Sequence, residues 1–265
     1  MKRKNEAGMT GHTLTVLAQT FAEQLPACLL GGTAVVIFAW ILLRITGRRN
    51  PGTRFAVWLC ALFAVAALLV AGRYEPGASA SIAAGVLPTH GAIELPSAWA
   101  FYVFVAWATI AGMALVRVGV GLWHVGGLRQ RCDELDIERL GPSFRDSLKG
   151  VRSRRRFSLC VSESVGVPTA IGFFRPAVVI PRWLVQELSP ADLRQVVLHE
   201  VAHLERWDDW TNLAQKVLRA LLFFHPAAWW IEKRLTLERE MACDDVVLRQ
   251  TANPRAYAQC LALLA

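Results

Sequence analysis

Ser189-Pro190-Ala191-Asp192-Leu193-Arg194-Gln195-Val196-Val197-Leu198-His199-Glu200-Val201-Ala202-His203 is a helix start followed by a pair of histidines. Ser189 suits the N-cap and Pro190 the first helical position, where its missing N–H costs nothing. Asp192 sits three residues after the cap, close to a capping box, where a carboxylate also complements the positive helix end. No proline or glycine follows before Pro226, so the spacing predicts a helix that carries His199–His203 with room on both sides.

Residues four apart on a helix share a face, so both imidazoles can reach one cation. Glu200 lies beside that face and can touch a water without filling a ligand position. A catalytic zinc usually takes a third protein ligand. The acids Glu238, Glu240, Asp244 and Asp245 lie on a helix expected over residues 232–250. Glu240 is the favoured ligand, with Glu238 as the substitute. Asp244, four residues on and on the same face, would accept from the other ring nitrogen of a zinc histidine. Arg206 and Asp208 read as an orienting pair around the zinc helix, and a plain local salt bridge would look the same in sequence. His12, His90 and His124 have no partners nearby and suit core or interface roles. His225, next to Pro226 in an apolar run, suits a structural hydrogen bond.

The chain before this helix is of another kind. Of its 265 residues, 54% are hydrophobic and only 19% charged. Residues 25–43, 55–72 and 95–116 carry no charge over roughly 18–22 residues each, about the length that crosses a hydrocarbon core. Three transmembrane helices are expected there. The first reads as an anchor rather than a cleaved signal, because another span follows almost at once. The link between the first two spans holds Arg44, Arg48, Arg49 and Arg54, which places it in the cytoplasm, while loop 75–94 has no Lys or Arg and belongs outside. Lys2, Arg3 and Lys4 would then lie outside, against the trend. The net charge of +8 follows these loops rather than any pattern for reading nucleic acid, so no direct nucleic-acid partner is expected. The run Arg152-Ser153-Arg154-Arg155-Arg156 suits anionic headgroups or a solvated face. Short strands are expected over 157–161 and 177–180, between turn residues. The stretch 220–231 is too short to cross a bilayer and reads as buried or interfacial. Six cysteines, none in a C-x-x-C pair, read as free thiols in a reducing compartment.

These pieces together resemble a known family. His199-Glu200-Val201-Ala202-His203-Leu204-Glu205-Arg206-Trp207-Asp208 looks like the H-E-x-x-H-x-x-R-x-D element of the BlaR/MecR-type antirepressor membrane zinc metallopeptidases. Pro168 to Pro176 with Ile180-Pro181 is similar to its strand region, and Phe224-His225-Pro226 with Trp229 to its hydrophobic segment. Glu238-Arg239-Glu240-Met241-Ala242-Cys243-Asp244 resembles its E-R-E-x-x-C-D element, whose second glutamate is a ligand. The resemblance implies a mainly α, polytopic α-helical membrane protein with a gluzincin-like α+β cytoplasmic metallopeptidase domain. The expected layout is a tail over 1–24, a membrane domain over 25–128 and a zinc domain over 129–265, cut short at its C-terminus. It implies Zn2+ held by His199, His203 and Glu240, with Glu200 as the base. Asp244, Arg206 and Asp208 stand behind the ligands. The implied activity is hydrolysis of a cytoplasmic protein, such as a transcriptional repressor, or of the chain itself, in response to a signal. The implied location is the inner (plasma) membrane, with lipids as further partners. The alternative is a non-enzymatic signalling or scaffold protein that keeps the zinc fold. The family's beta-lactam sensors carry a penicillin-binding domain after a further span, and this sequence ends before either could appear, so it gives beta-lactam sensing no support.

Overall fold

The computed structural model describes residues 2–45, 50–71, 96–135, 142–148, 151, 153–251 and 253–264. The expected outer loop 75–94, Arg48, Arg49, His90 and Arg152 lie outside the described residues, as do the side chains of Lys2, Arg3, Lys4 and His12. The chain divides into two compact units, one of residues 1–49, 56–116 and 217–235, the other of residues 50–55, 117–216 and 236–265.

Among the described residues, the first unit includes α1 (Lys2–Ile45), most of α2 (Pro51–Ala71) and the first part of α3 (Ser97–Arg131). Each contains a stretch long and apolar enough to cross a membrane: Thr13–Ile45, Pro51–Val70 and Ala98–Arg131. The first and third stretches extend well past the expected limits. α1 passes through Pro26 without interruption, so the expected boundary between tail and first span falls inside a helix. A proline forfeits one i→i−4 hydrogen bond, a loss that neighbouring helices in a bundle can absorb. Aromatic edges knit the unit. Phe21 meets Phe104 and Trp107, with ring centroids 5.6 and 4.6 Å away, and Trp58 meets Trp230 edge-on at 4.9 Å. His225 is fully buried here, and its Nδ1 accepts from the Ala227 N–H, which leaves the Nε2 proton to donate to the Cys28 carbonyl at 3.1 Å. Large apolar side chains such as Leu30, Phe38, Trp99 and Val116 point outward, as a lipid-facing surface requires.

The second unit is an α+β assembly. It holds β1 (Asp133–Glu134), α4 (Pro142–Leu148), β2 (Ser158–Ser162), β3 (Thr169–Ile171), β4 (Ala177–Pro181), α5 (Arg182–Glu187) and α6 (Pro190–Glu205). α7 (Asp208–Leu221) begins in it, α8 (Pro226–Thr251) ends in it, and α9 (Pro254–Leu264) completes it. The strands form one sheet in the order β1-β2-β4-β3, with β2 and β4 parallel and β3 antiparallel at the edge. Alternation along β4 divides the core. Val178 and Ile180 pack with Leu193, Val196, Val197 and Val201 of α6, whereas Ala177 and Val179 pack with Cys160, Ile171 and the end of α3 at Val125 and Leu128.

The helix expected to run on from Pro190 breaks at Arg206-Trp207. Trp207 has φ 59°, a left-handed conformation unusual for a bulky side chain. Arg155 holds the break. Its guanidinium lies 4.2 Å from the Trp207 ring and donates to the Leu204 and Phe173 carbonyls and to both oxygens of Asp209, at 2.7–3.2 Å. That arginine of the basic run is therefore an internal clamp, not a headgroup contact. Asp208 and Asp209 then open α7, where the helix dipole favours acids.

Candidate metal centre

α6 is capped as its sequence demands, with Ser189 Oγ accepting from the Asp192 N–H at 3.2 Å. Its inner face is pinned to the sheet by Leu193, Val196, Val197 and Val201, which fixes His199, Glu200 and His203 at a cleft of about 300 Å³. Pro168 and, from edge strand β3, Thr169 and Ala170 form one wall, and Asp208, Asn212, Arg239 and Glu240 the other. A second, narrower cavity of about 170 Å³ opens beside His199 and Glu200, lined by Val167, Pro168, Val196, Tyr257, Cys260 and Leu261.

The two imidazoles meet tip to tip, with Nε2 atoms 3.2 Å apart. Glu240 Oε2, from α8, lies 3.5 Å from His199 Nε2 and 3.7 Å from His203 Nε2. Tetrahedral ligands at zinc-like bond lengths of about 2.0–2.1 Å stand about 3.3 Å from one another. The triangle of nitrogen, nitrogen and oxygen therefore has the size and chemistry for one small divalent cation. Behind each ring stands a carboxylate. Asp244 Oδ1 is 3.1 Å from His199 Nδ1, and Asp208 Oδ2 is 2.9 Å from His203 Nδ1. Each Nδ1 proton is thereby claimed, which turns each Nε2 lone pair toward Glu240. Glu238, the substitute ligand, sits elsewhere: it is fully buried and bound to Arg54 Nε at 2.6 Å. Arg206 reaches Asp208 Oδ2 at 3.4 Å, so the expected Arg206–Asp208 pair forms, with the aspartate doubling as the partner of His203.

The electrostatics follow from this crowding. Burial alone would push the His199 imidazole down, but Asp244, Glu240 and Glu200 outweigh it and raise it to about 9 in the metal-free protein. Hydrogen bonding to His199 holds the Glu240 carboxyl below its ordinary range. Burial would push the Asp244 carboxyl up, yet bonds to His199 and Tyr257 bring it down. Glu200 is pushed up by burial, against the pull of His203, His199 and the Ala170 N–H. A carboxylate drawn toward neutrality in this way is suited to moving protons.

Two further side chains border the site, and the sequence alone assigned neither a role. Tyr257, on α9, donates to Asp244 Oδ1 at 2.7 Å and lies 3.0 Å from His199 Nδ1. The start signal Asn253-Pro254 could have marked its helix, since Asn253 Oδ1 caps the Ala256 N–H at 3.2 Å. Cys243 is buried with its sulfur 3.3 Å from His203 Nδ1, and His203, Asp208 and Cys243 form a second group of close donors.

A mainly helical chain with three membrane-length helices among its described residues, and two histidines and a glutamate converging on a cleft, has the make-up of a membrane-bound peptidase. The chain belongs to the BlaR1 peptidase M56 family, which it matches over residues 25–264. It is 23% identical over 146 residues to the regulatory protein BlaR1 of Bacillus licheniformis, a stretch covering 55% of this chain and 24% of that protein. It is 22% identical over 96 residues to the methicillin resistance mecR1 proteins of Staphylococcus aureus and Staphylococcus epidermidis, 36% of this chain and 16% of each relative. The matched part is thus about a quarter or less of these relatives' length. Membership makes this a membrane protein with a peptidase-family domain, and such a domain implies a metal.

Proposed function

We propose that this protein is a membrane-bound zinc endopeptidase with a gluzincin-like site. Its ligands are His199, His203 and Glu240, its base is Glu200, and its catalytic domain faces the cytoplasm. The observation that carries the reading is the convergence of two Nε2 atoms and one carboxylate oxygen within 3.2–3.7 Å of each other, each histidine backed by its own acid. The basic link after the first span and the Lys- and Arg-free loop 75–94 support the orientation.

When bound, the cation would supply Lewis acidity for the scissile carbonyl and lower the pKa of a water toward about 7. Glu200, buried at the cleft wall, takes the proton of the attacking water and returns it to the leaving amine. Asp244 and Asp208 keep the two imidazoles in the tautomer that presents Nε2. β3 is an edge strand, and Pro168 with its Thr169 and Ala170 lines the cleft, so an extended peptide can lie alongside it. The substrate is inferred to be a cytoplasmic protein, a transcriptional repressor or the chain itself, cut in response to a signal from outside.

The test is Glu200→Gln in the full chain, with zinc content measured beside cleavage of a co-expressed repressor and of the chain. Turnover in the wild type and its loss at unchanged zinc content is the expected result. Persistent cleavage in the variant would remove Glu200 from the mechanism, and a wild type that holds zinc without any turnover would leave the scaffold reading.

A further inference from the structure

α2 is an apolar, membrane-length helix, yet its first turn belongs to the peptidase unit. Asn50 caps it, its Oδ1 accepting from the Gly52 N–H at 2.9 Å, with Pro51 at the first helical position. Two side chains of that turn reach into the shell around the metal centre. Arg54 Nε donates to Glu238 Oε1 at 2.6 Å, and the Glu238 side chain is 1% exposed, its other oxygen having no hydrogen-bond partner among the described residues. Glu238 stands two residues before Glu240 on the same helix. Phe55, buried at 7% exposure, lies under two guanidinium groups, with Arg206 at 5.3 Å and Arg239 at 5.7 Å from its ring centroid.

Those two arginines flank one carboxylate. Arg206 Nε is 3.4 Å from Asp208 Oδ2, and Arg239 Nε is 4.0 Å from Asp208 Oδ1. Asp208 in turn holds His203 Nδ1. Contact therefore runs without a gap from the opening of an apolar helix to two of the three ligands: through Arg54 and Glu238 to the turn that carries Glu240, and through Phe55, the arginines and Asp208 to His203.

We infer that Arg54 and Phe55 are positioning residues of the metal centre, which set the placement of Glu240 and the orientation of His203. A shift of α2 would then alter the centre's hold on its cation. The inference rests on the metal-site reading above. A buried carboxylate is costly to leave without its cationic partner, so removing Arg54 must move Glu238 and its helix or bring water in. Phe55 acts by shape, keeping the two guanidiniums spread about Asp208. An ordinary packing role would lower the stability of the fold and leave the cation's surroundings as they were.

The experiment uses the full chain in lipid nanodiscs, loaded with Co2+ as a coloured probe. It measures the visible spectrum and the Co2+ affinity against a chromophoric chelator, with thermal melting in parallel. Arg54→Gln and Phe55→Leu are compared with Arg54→Lys, which keeps the charge, and with Gly32→Ala, which crowds the other unit. The expected result is a weakening of Co2+ binding by roughly tenfold or more and a displaced band in the first two. Arg54→Lys should recover part of the loss, and Gly32→Ala should melt early with binding unchanged. Should Arg54→Gln not fold, Phe55→Leu decides. Lower melting with unaltered affinity and spectrum in Phe55→Leu and every folded Arg54 variant would overturn the inference. Failure of the wild type itself to take up Co2+ would instead strike at the metal-site reading.

Discussion

Asp208 Oδ2 stands 2.9 Å from His203 Nδ1 although the two residues lie on different helices, either side of a break in the chain. The carboxylate is 4% exposed, so its bond to the imidazole is sheltered from competing water. Asp208→Asn preserves the volume but removes the charge that fixes the ring. Partners of this kind are worth about 10–100-fold in metal affinity. Zinc affinity measured by chelator competition should fall by that much, with little change in the helical content. Unaltered affinity would mean that the ring is oriented by its packing alone.

His203 also borders a second group of donors, with Asp208 and Cys243. The two groups make opposite forecasts. Burial pushes the Cys243 thiol well up, and a thiol must lose its proton to bind a metal, so this sulfur is a poor competitor. Cys243→Ser should therefore retain zinc, whereas Glu240→Gln should lose it. Metal analysis after dialysis against a weak chelator settles which set binds, and zinc lost from Cys243→Ser but retained by Glu240→Gln would reverse the assignment.

Tyr257 offers a graded companion test. Its hydroxyl donates to Asp244, which in turn holds His199 Nδ1. Tyr257→Phe removes one bond to a charged acceptor, about 1.5–3 kcal/mol at most. Asp244→Asn removes the charge that the bond supports. Zinc affinity should drop in both, and further in Asp244→Asn. The reverse order would show that the tyrosine acts on His199 directly.

The metal helix could be read because its instructions are local: a serine cap, a proline at the first position and two histidines four apart each act within a few residues. Glu240 and Asp244 were readable for the same reason, as one face of a single helix. The break at Trp207 was not. No glycine or proline marks it; it depends on Arg155, some fifty residues earlier in the chain, donating to the Leu204 carbonyl and Asp209. Arg54 and Glu238 are 184 residues apart, and sequence spacing carries no sign of their pairing. Likewise an apolar span in this region could be read from composition, but not its extent from Thr13 to Ile45, nor the continuation of α1 toward Lys2 or its passage through Pro26.

The clamp at the break gives a stability forecast. The side chains of Arg155 and Asp209 are 10% and 7% exposed and meet through two bonds of 3.0 and 3.1 Å. Breaking a buried pair from one side costs about 3–5 kcal/mol, because the remaining charge is stranded. Arg155→Ala should destabilise the peptidase unit by about that amount. Arg155→Lys should not restore it, since an ammonium cannot span both Asp209 oxygens and two carbonyls at once. Denaturant melts followed by Trp fluorescence test both, and a lysine variant as stable as the wild type would show that charge alone holds the turn.

His225 and Gly32 supply the last forecast, in the apolar unit. A methyl group built on Gly32 would come 2.2 Å from His225 Nε2 and 3.1 Å from a Val65 methyl, whereas one on Gly31 would meet only the mobile end of Leu68, at 3.1 Å. The histidine cannot easily retreat, because it is fully buried and bonded at both nitrogens, to the Ala227 N–H and the Cys28 carbonyl. Gly32→Ala must therefore break the His225–Cys28 bond or push α1 outward, an overpacking cost of about 1–3 kcal/mol. Gly31→Ala should cost less, since a leucine tip can rotate. Melting of the two variants in the same detergent should rank Gly32→Ala well below Gly31→Ala. Equal melting temperatures would mean that α1 and His225 do not pack as closely in the bilayer protein as the 2.2 Å approach requires.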